Sequence, residues 1–249
     1  MKRELILSGI LICLFLFAGI AGADLKNGLV GYWPLDGNGK DMAGKSEGEL
    51  DGGANWTKNG RINGGVELDG ATSCVSIKGF TLTTTELTAV AWMKGWKQAD
   101  WAGIMCSRND PMTFWVGFNP ANTLSYVWNN NAAETYNWNK GPSIPEDEWA
   151  MTVITIAEDQ AVGYVYTDAD KLQSGVNKIS HLEQTIADNL KIGRDECCGD
   201  TRHIMGIMDE VMIYDRVLSE DEVLQLATTG LAVVSEGKLT AQWGAIKQQ

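Results

Sequence analysis

The stretch Gly206–Leu226, GIMDEVMIYDRVLSEDEVLQL, decides how this chain is read. Ile207 to Tyr214 is dense in β-branched, Met and Tyr side chains, which suit a pleated, mostly buried strand. Ser219 stands three residues before Glu222, the spacing of a capping box. The Ser hydroxyl can accept from the N3 amide while the Glu carboxylate reaches back to the cap amide. Val223, Leu224 and Leu226 add an apolar stripe, and Gly230 is a stop signal. The pattern predicts a long strand running into one short helix that presses on the strand's own sheet.

Working outward, Leu29–Leu35 (LVGYWPL) reads as a first strand, followed by the turn-rich DGNGKDMAGKSEG. Glu49-Leu50 begins a short extended piece, and the Asp69-Gly70 turn pair leads to a strand at Cys74–Ile77. Leu87–Lys94 alternates, with Leu87, Ala89, Ala91 and Met93 on one face and Val90 and Trp92 on the other. Further strands read at Ala102–Ser107, Thr113–Phe118 and Thr123–Trp128, then a polar loop at Asn129–Glu148. Trp149–Ile156 and Ala161–Thr167 turn at Glu158-Asp159-Gln160, and Leu190–Gly193 precedes the closing strand. Roughly a dozen short strands with one helix indicate an all-β fold, a two-sheet antiparallel sandwich or jelly roll.

Six pieces, in order, resemble the laminin-G-like, concanavalin A-like jelly-roll domains. They are GLVGYWPLDG with DMAGK, GGVELDGATSCVSI, LTAVAWMK, EDEWAMTVITI, LKIGRD and DEVMIYDRVLS. The resemblance covers about Leu29 to Leu226 and implies one jelly-roll domain over Asp24–Gly230. Such a fold hosts lectins, adhesion modules and glycan-cleaving enzymes, so it does not by itself fix an activity. Family members often hold a structural calcium between the first loop and the closing strand, which implies Asp36, Asp41 and Asp209 as its ligands here. Calcium takes carboxylate and carbonyl oxygens, and a Gly-rich loop can turn carbonyls inward. The alternative is that Asp36 and Asp41 only make turns and backbone amides satisfy Asp209.

Met1–Ala23 reads as a secretory leader: Lys2 and Arg3, the apolar run Leu5–Phe17, then the small-x-small site Ala21-Gly22-Ala23. The run is short for a bilayer span, so the expectation is an exported chain without a membrane span. Export favours disulfides among Cys74, Cys106, Cys197 and Cys198 over a thiolate metal site with His203, and leaves their connectivity open. A net charge of −12 repels phosphate backbones and makes nucleic acid a poor partner. In the tail Leu231–Gln249, Leu239, Trp243 and Ile246 share a helical face, which is either a frayed end or a docking element.

A glycan hydrolase on this fold needs two carboxylates on one concave face, about 5 Å apart for retaining chemistry. Glu146, Asp147 and Glu148 are consecutive and alternate faces, and Asp209-Glu210 belongs to the fold signature. A lyase of the same fold uses a His and a Tyr near an Arg-rich strand, and neither His181 nor His203 lies in such a motif. A binding site instead sets aromatic platforms beside amides, because ring faces stack on sugars and Asn both donates and accepts. Trp96, Trp101, Trp128, Tyr136 and Trp138 fit that pattern around a polar turn and the NNNAAET loop. Trp33, Trp92, Trp115 and Trp149 are assigned to the core. The expectation is a non-catalytic carbohydrate-binding module with calcium. The alternatives are a protein-binding adhesion domain or a glycan-active hydrolase or lyase.

Overall fold

The computed structural model describes residues 24–96, 98–109, 112–128, 135–199 and 201–231. The leader, the tail residues Leu239, Trp243 and Ile246, and residues 129–134 of the polar loop lie outside the described residues. In chain order the strands are β1 (Leu29–Trp33), β2 (Gly48–Asp51), β3 (Asn55–Ile62), β4 (Gly64–Asp69), β5 (Cys74–Ile77) and β6 (Leu82–Thr84). Next come β7 (Leu87–Gly95), β8 (Gly103–Asn109), β9 (Met112–Phe118), β10 (Leu124–Val127), β11 (Ala150–Ile156) and β12 (Ala161–Thr167). The last are β13 (Lys171–Asn177), β14 (Gln184–Ile186), β15 (Lys191–Ile192), β16 (Arg194–Asp195), β17 (Arg202–His203) and β18 (Met205–Tyr214), followed by α1 (Glu220–Thr229).

Two antiparallel sheets form a jelly-roll sandwich. An eight-stranded sheet runs β13-β12-β11-β7-β18-β4-β3, with β1 also paired to β18, and a six-stranded sheet runs β10-β9-β8-β15-β5-β2. The closing strand β18 is the hub of the larger sheet. It pairs with β7 along one edge, and with β4 (through Met205–Met208) and β1 (through Val211–Tyr214) along the other.

Alternation decides what each face buries. On β7, Leu87, Ala89, Ala91 and Met93 join the core between the sheets, while Val90 and Trp92 join a second layer on the outer face of the larger sheet. Helix α1 covers that layer with Val223, Leu226 and Ala227. Burying Val223 and Leu226 stabilises the contact by about 1.5–3 kcal/mol each. The expected capping box is present: Ser219 Oγ accepts from the Glu222 amide at 3.3 Å, and Glu222 Oε2 accepts from the Ser219 amide at 2.8 Å. Gly230 ends the helix with φ 66°, its N–H donating to Leu226 O. Leu224 departs from the expected stripe. It is 40% exposed, because at about 100° per residue it falls outside the arc spanned by Val223, Leu226 and Ala227.

A bulge interrupts β18 between Asp209, opposite Trp92, and Met212, opposite Val90. Glu210 there adopts φ 50°, a left-handed conformation that costs a non-glycine residue about 1–2 kcal/mol. The bulge lets two consecutive acidic side chains face the same layer. Asp209 lies across from Trp92, and Glu210 accepts from the Tyr32 hydroxyl at 2.9 and 3.1 Å.

Candidate ligand-binding site

The outward face of the six-stranded sheet carries Cys106 from β8, set between Trp115 on β9 and Lys191 on β15. Asp195 of β16 lies over this face and is fully buried. Its Oδ1 accepts from Arg108 Nε at 2.7 Å and from the Cys197 amide at 3.1 Å. Its Oδ2 accepts from Arg108 Nη2 at 2.7 Å and Arg202 Nη1 at 3.0 Å. Burial alone would push this carboxyl up. The Arg108 hydrogen bonds and charge, helped by Arg202 and the Cys197 amide, outweigh burial and hold it below its ordinary value. Asp195 therefore fixes Arg202, whose guanidinium lies 5.9 Å over the Trp101 ring.

Trp101 is the centre of an aromatic group. It stacks on Tyr136 with centroids 4.7 Å apart and planes 24° apart, and leans on Trp115 at 6.1 Å. Trp101 is partly exposed, Tyr136 is 38% exposed, and Trp96 from the same loop is 50% exposed. The buried side chain of Gln98 shapes this loop. Its Nε2 donates to Trp96 O at 2.6 Å and Met205 O at 2.9 Å, while its Oε1 accepts from the Met205 amide at 2.9 Å.

The other two predicted platform residues are core. Trp128 is 1% exposed, donates its indole N–H to Leu182 O at 2.8 Å and meets Phe114 edge-on. Trp138 is 6% exposed and packs edge-on against Tyr126 at 5.6 Å. Both rings pack inward, since burying an indole is worth more than displaying it. Trp33, Trp92 and Trp115 are buried as expected, whereas Trp149 is only partly buried, against the layer under α1. Asp195, Arg108 and Arg202 carry no sequence signal as partners: β16–β17 pairing sets Asp195 opposite Arg202, and Arg108, 87 residues away on β8, meets Asp195 only in the folded chain.

The cysteines resolve unevenly. Cys197 and Cys198 are joined by a disulfide, so they do not form a thiolate site with His203. Cys74 and Cys106 are buried free thiols and not disulfide partners. They sit on different strands, facing Ser76 Oγ at 3.8 Å and Asp195 Oδ1 at 3.5 Å respectively, and burial pushes both thiols up.

The three expected metal ligands separate. Asp41 is spent on backbone amides, accepting from Tyr32 of β1 and from Ala43, Gly44 and Ser46 of its own loop at 2.9–3.1 Å. Asp36 Oδ1 accepts from the Gly64 amide at 2.8 Å. Asp209 is fully buried and accepts from the Ile62 and Glu210 amides at 2.8 and 2.9 Å. Burial, with the neighbouring charges of Glu210 and Asp36, raises Asp209 to about 8. Burial, offset in part by the Tyr32 hydrogen bond, raises Glu210 to about 7. Among the described residues no group of three or more His, Cys, Asp or Glu side chains could hold a metal ion. Asp36 and Asp209 supply the carboxylate oxygens that a hard cation takes, and a cation there would displace the proton that burial favours on Asp209.

No curated protein sequence matches the chain. Solved structures with the same fold include domain 4 of AbnA, a GH43 extracellular arabinanase from Geobacillus stearothermophilus, in complex with arabinotriose. That domain is 18% identical, the match covers 80% of this chain and 98% of that one, and the TM-score is 0.58. The binding domain of botulinum neurotoxin serotype G is 14% identical, with 80% and 50% covered and a TM-score of 0.58. Trypanosoma rangeli sialidase, in complex with a difluoro-KDN, is 17% identical, with 80% and 32% covered and a TM-score of 0.55. The chain thus spans about half of that toxin domain and about a third of the sialidase. The family model Laminin_G_3, concanavalin A-like lectin/glucanases superfamily, matches residues 69–224, from the Asp69-Gly70 turn through the closing strand into α1, and the chain belongs to that superfamily.

Proposed function

We propose that this chain is an exported, non-catalytic module that binds carbohydrate and is steadied by a structural calcium ion. The observation that carries this reading is the Trp101–Tyr136 stack, braced by Arg202, with the exposed Trp96 on the loop that carries Trp101. A partly exposed, rigidly held aromatic pair presents a flat surface to the apolar face of a sugar ring at little entropic cost. The arabinotriose held by the similar arabinanase domain supports the same reading. The carboxylates with raised pKa, Asp209 and Glu210, are 0% and 3% exposed, so they lie beneath the surface and not in a groove where a glycan could be cut. Calcium is assigned to Asp36 and Asp209 with backbone carbonyls, and Asp41 is left out. When bound, the ion would displace the proton that burial favours on Asp209 and tie the first loop to β18.

The test is calorimetric titration of the mature chain with neutral oligosaccharides, including arabino-, xylo- and gluco-oligomers. Saturable binding without product release, lost in Trp101→Ala, supports the reading. Binding of no saccharide, or release of shortened products, contradicts it.

A further inference from the structure

Residues 135–141 close one edge of the sandwich between β10 and the β12–β13 side. The benzene end of Trp138 is wedged in there. A Cβ at Gly163 would lie 3.0 Å from its Cη2, and one at Gly141 would lie 3.1 Å from its Cζ3, so two glycines make its room. The pyrrole end of the ring points away from that wedge, and its N–H has no acceptor among the described residues. Beside it opens a cavity of about 480 Å³, walled by Asn137–Lys140 on one side and Val176–Lys178 on the other.

The lining of this cavity is unusual for so acidic a chain. It holds three side-chain amides, an indole and two lysines, and no carboxylate. Lys140 and Lys178 are exposed, and neither forms an ion pair among the described residues. The Asn177 amide donates to Tyr126 Oη at 2.9 Å, which fixes that wall. Asn137 and Asn139 are exposed, where an amide can both donate to and accept from hydroxyls. Asn137 directly follows Tyr136, so the chain passes from the stacked aromatic pair straight into the wall of this cavity.

We propose that this cavity takes an acidic sugar residue, its carboxylate or sulfate ester set on Lys140 and Lys178 and its hydroxyls on Asn137 and Asn139. The inference rests on the carbohydrate reading above and adds the charge of the sugar. An oligosaccharide with a neutral residue on Tyr136 would place its acidic neighbour here. The cavity's size suits one or two sugar rings, and an anion gains more from two ammonium groups than a neutral hydroxyl does.

The test titrates the mature chain at low ionic strength with two matched pairs: trigalacturonate against its methyl ester, and a sulfated disaccharide against its desulfated form. The expected result is that at least one charged form binds about tenfold more tightly than its neutral partner, equivalent to ~1.4 kcal/mol. The arm that shows it identifies carboxylate or sulfate. The double variant Lys140→Gln, Lys178→Gln, with unchanged unfolding temperature, should lose that preference and keep the neutral affinity. Equal affinity within both pairs overturns the acidic-sugar proposal and leaves the carbohydrate reading standing. A charge preference retained in the double variant overturns the assignment to this cavity. Failure of every saccharide, charged or neutral, overturns both readings.

Discussion

Replacing Asp195 by Asn tests whether one buried carboxylate holds the binding face together. Asp195 is 0% exposed and receives two hydrogen bonds from Arg108, one from Arg202 and one from the Cys197 amide. Asn keeps the shape but removes the charge, leaving two guanidinium groups facing a neutral amide. Breaking one partner of a buried ion pair costs about 3–5 kcal/mol. The Arg108 and Arg202 side chains are 30% and 17% exposed, so some water reaches them and the lower end, about 3 kcal/mol, applies. For a domain near 200 residues, 1 kcal/mol moves the melting temperature by roughly 2–4 °C, so the fall should be about 6–12 °C. Circular dichroism melts at pH 7 read this directly. The pH arm adds a sign. The folded pKa of Asp195 lies below its ordinary 3.8, so its stabilisation is present above that value and is lost as pH falls through the lower folded pKa. The gap between wild type and Asp195→Asn should therefore narrow at pH 3. A melting difference under about 2 °C at pH 7 would refute the assignment, as would a gap that persists unchanged at pH 3.

The remaining predictions concern the metal, the core and one histidine. Stripping calcium should lower the melting temperature: at 100 times its Kd the ion contributes about 2.7 kcal/mol, and Asp209→Ala should abolish the difference between calcium and chelator. A wild-type protein, verified metal-free, that melts identically with and without calcium contradicts the metal assignment. Trp128→Ala should cost about 3–5 kcal/mol, measured by denaturant unfolding, because it empties a buried site beside Phe114; a loss below about 1 kcal/mol would contradict its core role. His181 donates from Nδ1 to Ala157 O and accepts at Nε2 from the Tyr126 hydroxyl, a neutral tautomer. Burial lowers its pKa, so this stabilisation is complete above about 6.5 and falls as pH drops below that, when the unfolded chain protonates first. His181→Gln should flatten the stability profile between pH 6.5 and 5, and an unaltered profile would exclude the histidine as its source.

The larger sheet was legible because its strands obey simple local rules. Leu87–Lys94 alternates cleanly since one face meets the core and the other meets α1. The Ser219–Glu222 cap was readable because capping is set by spacing alone. Strands β3 and β13 escaped the reading. NWTKNGRI and KLQSGVN are polar edge strands with little buried surface, held by backbone pairing that leaves no apolar period. The site was harder. Trp101 and Tyr136 were both singled out, but nothing in their spacing shows that one stacks on the other. Trp128 and Trp138 resembled platform residues because their neighbours are polar. The clue against Trp138 was Gly163 within the strand AVGYVYT, since an interior strand glycine marks a close approach by another group. Asp41 looked like a metal ligand by position, yet three amides of its own loop and that of Tyr32 in β1 claim it.

The most direct test of the central claim is a calorimetric titration of oligosaccharides against wild type, Trp101→Ala and Tyr136→Ala. Wild type should bind saturably and each variant should lose at least tenfold in affinity, equivalent to about 1.4 kcal/mol, with the fold intact by circular dichroism. Binding that survives both substitutions unchanged, or a wild-type protein that binds no saccharide, would contradict it.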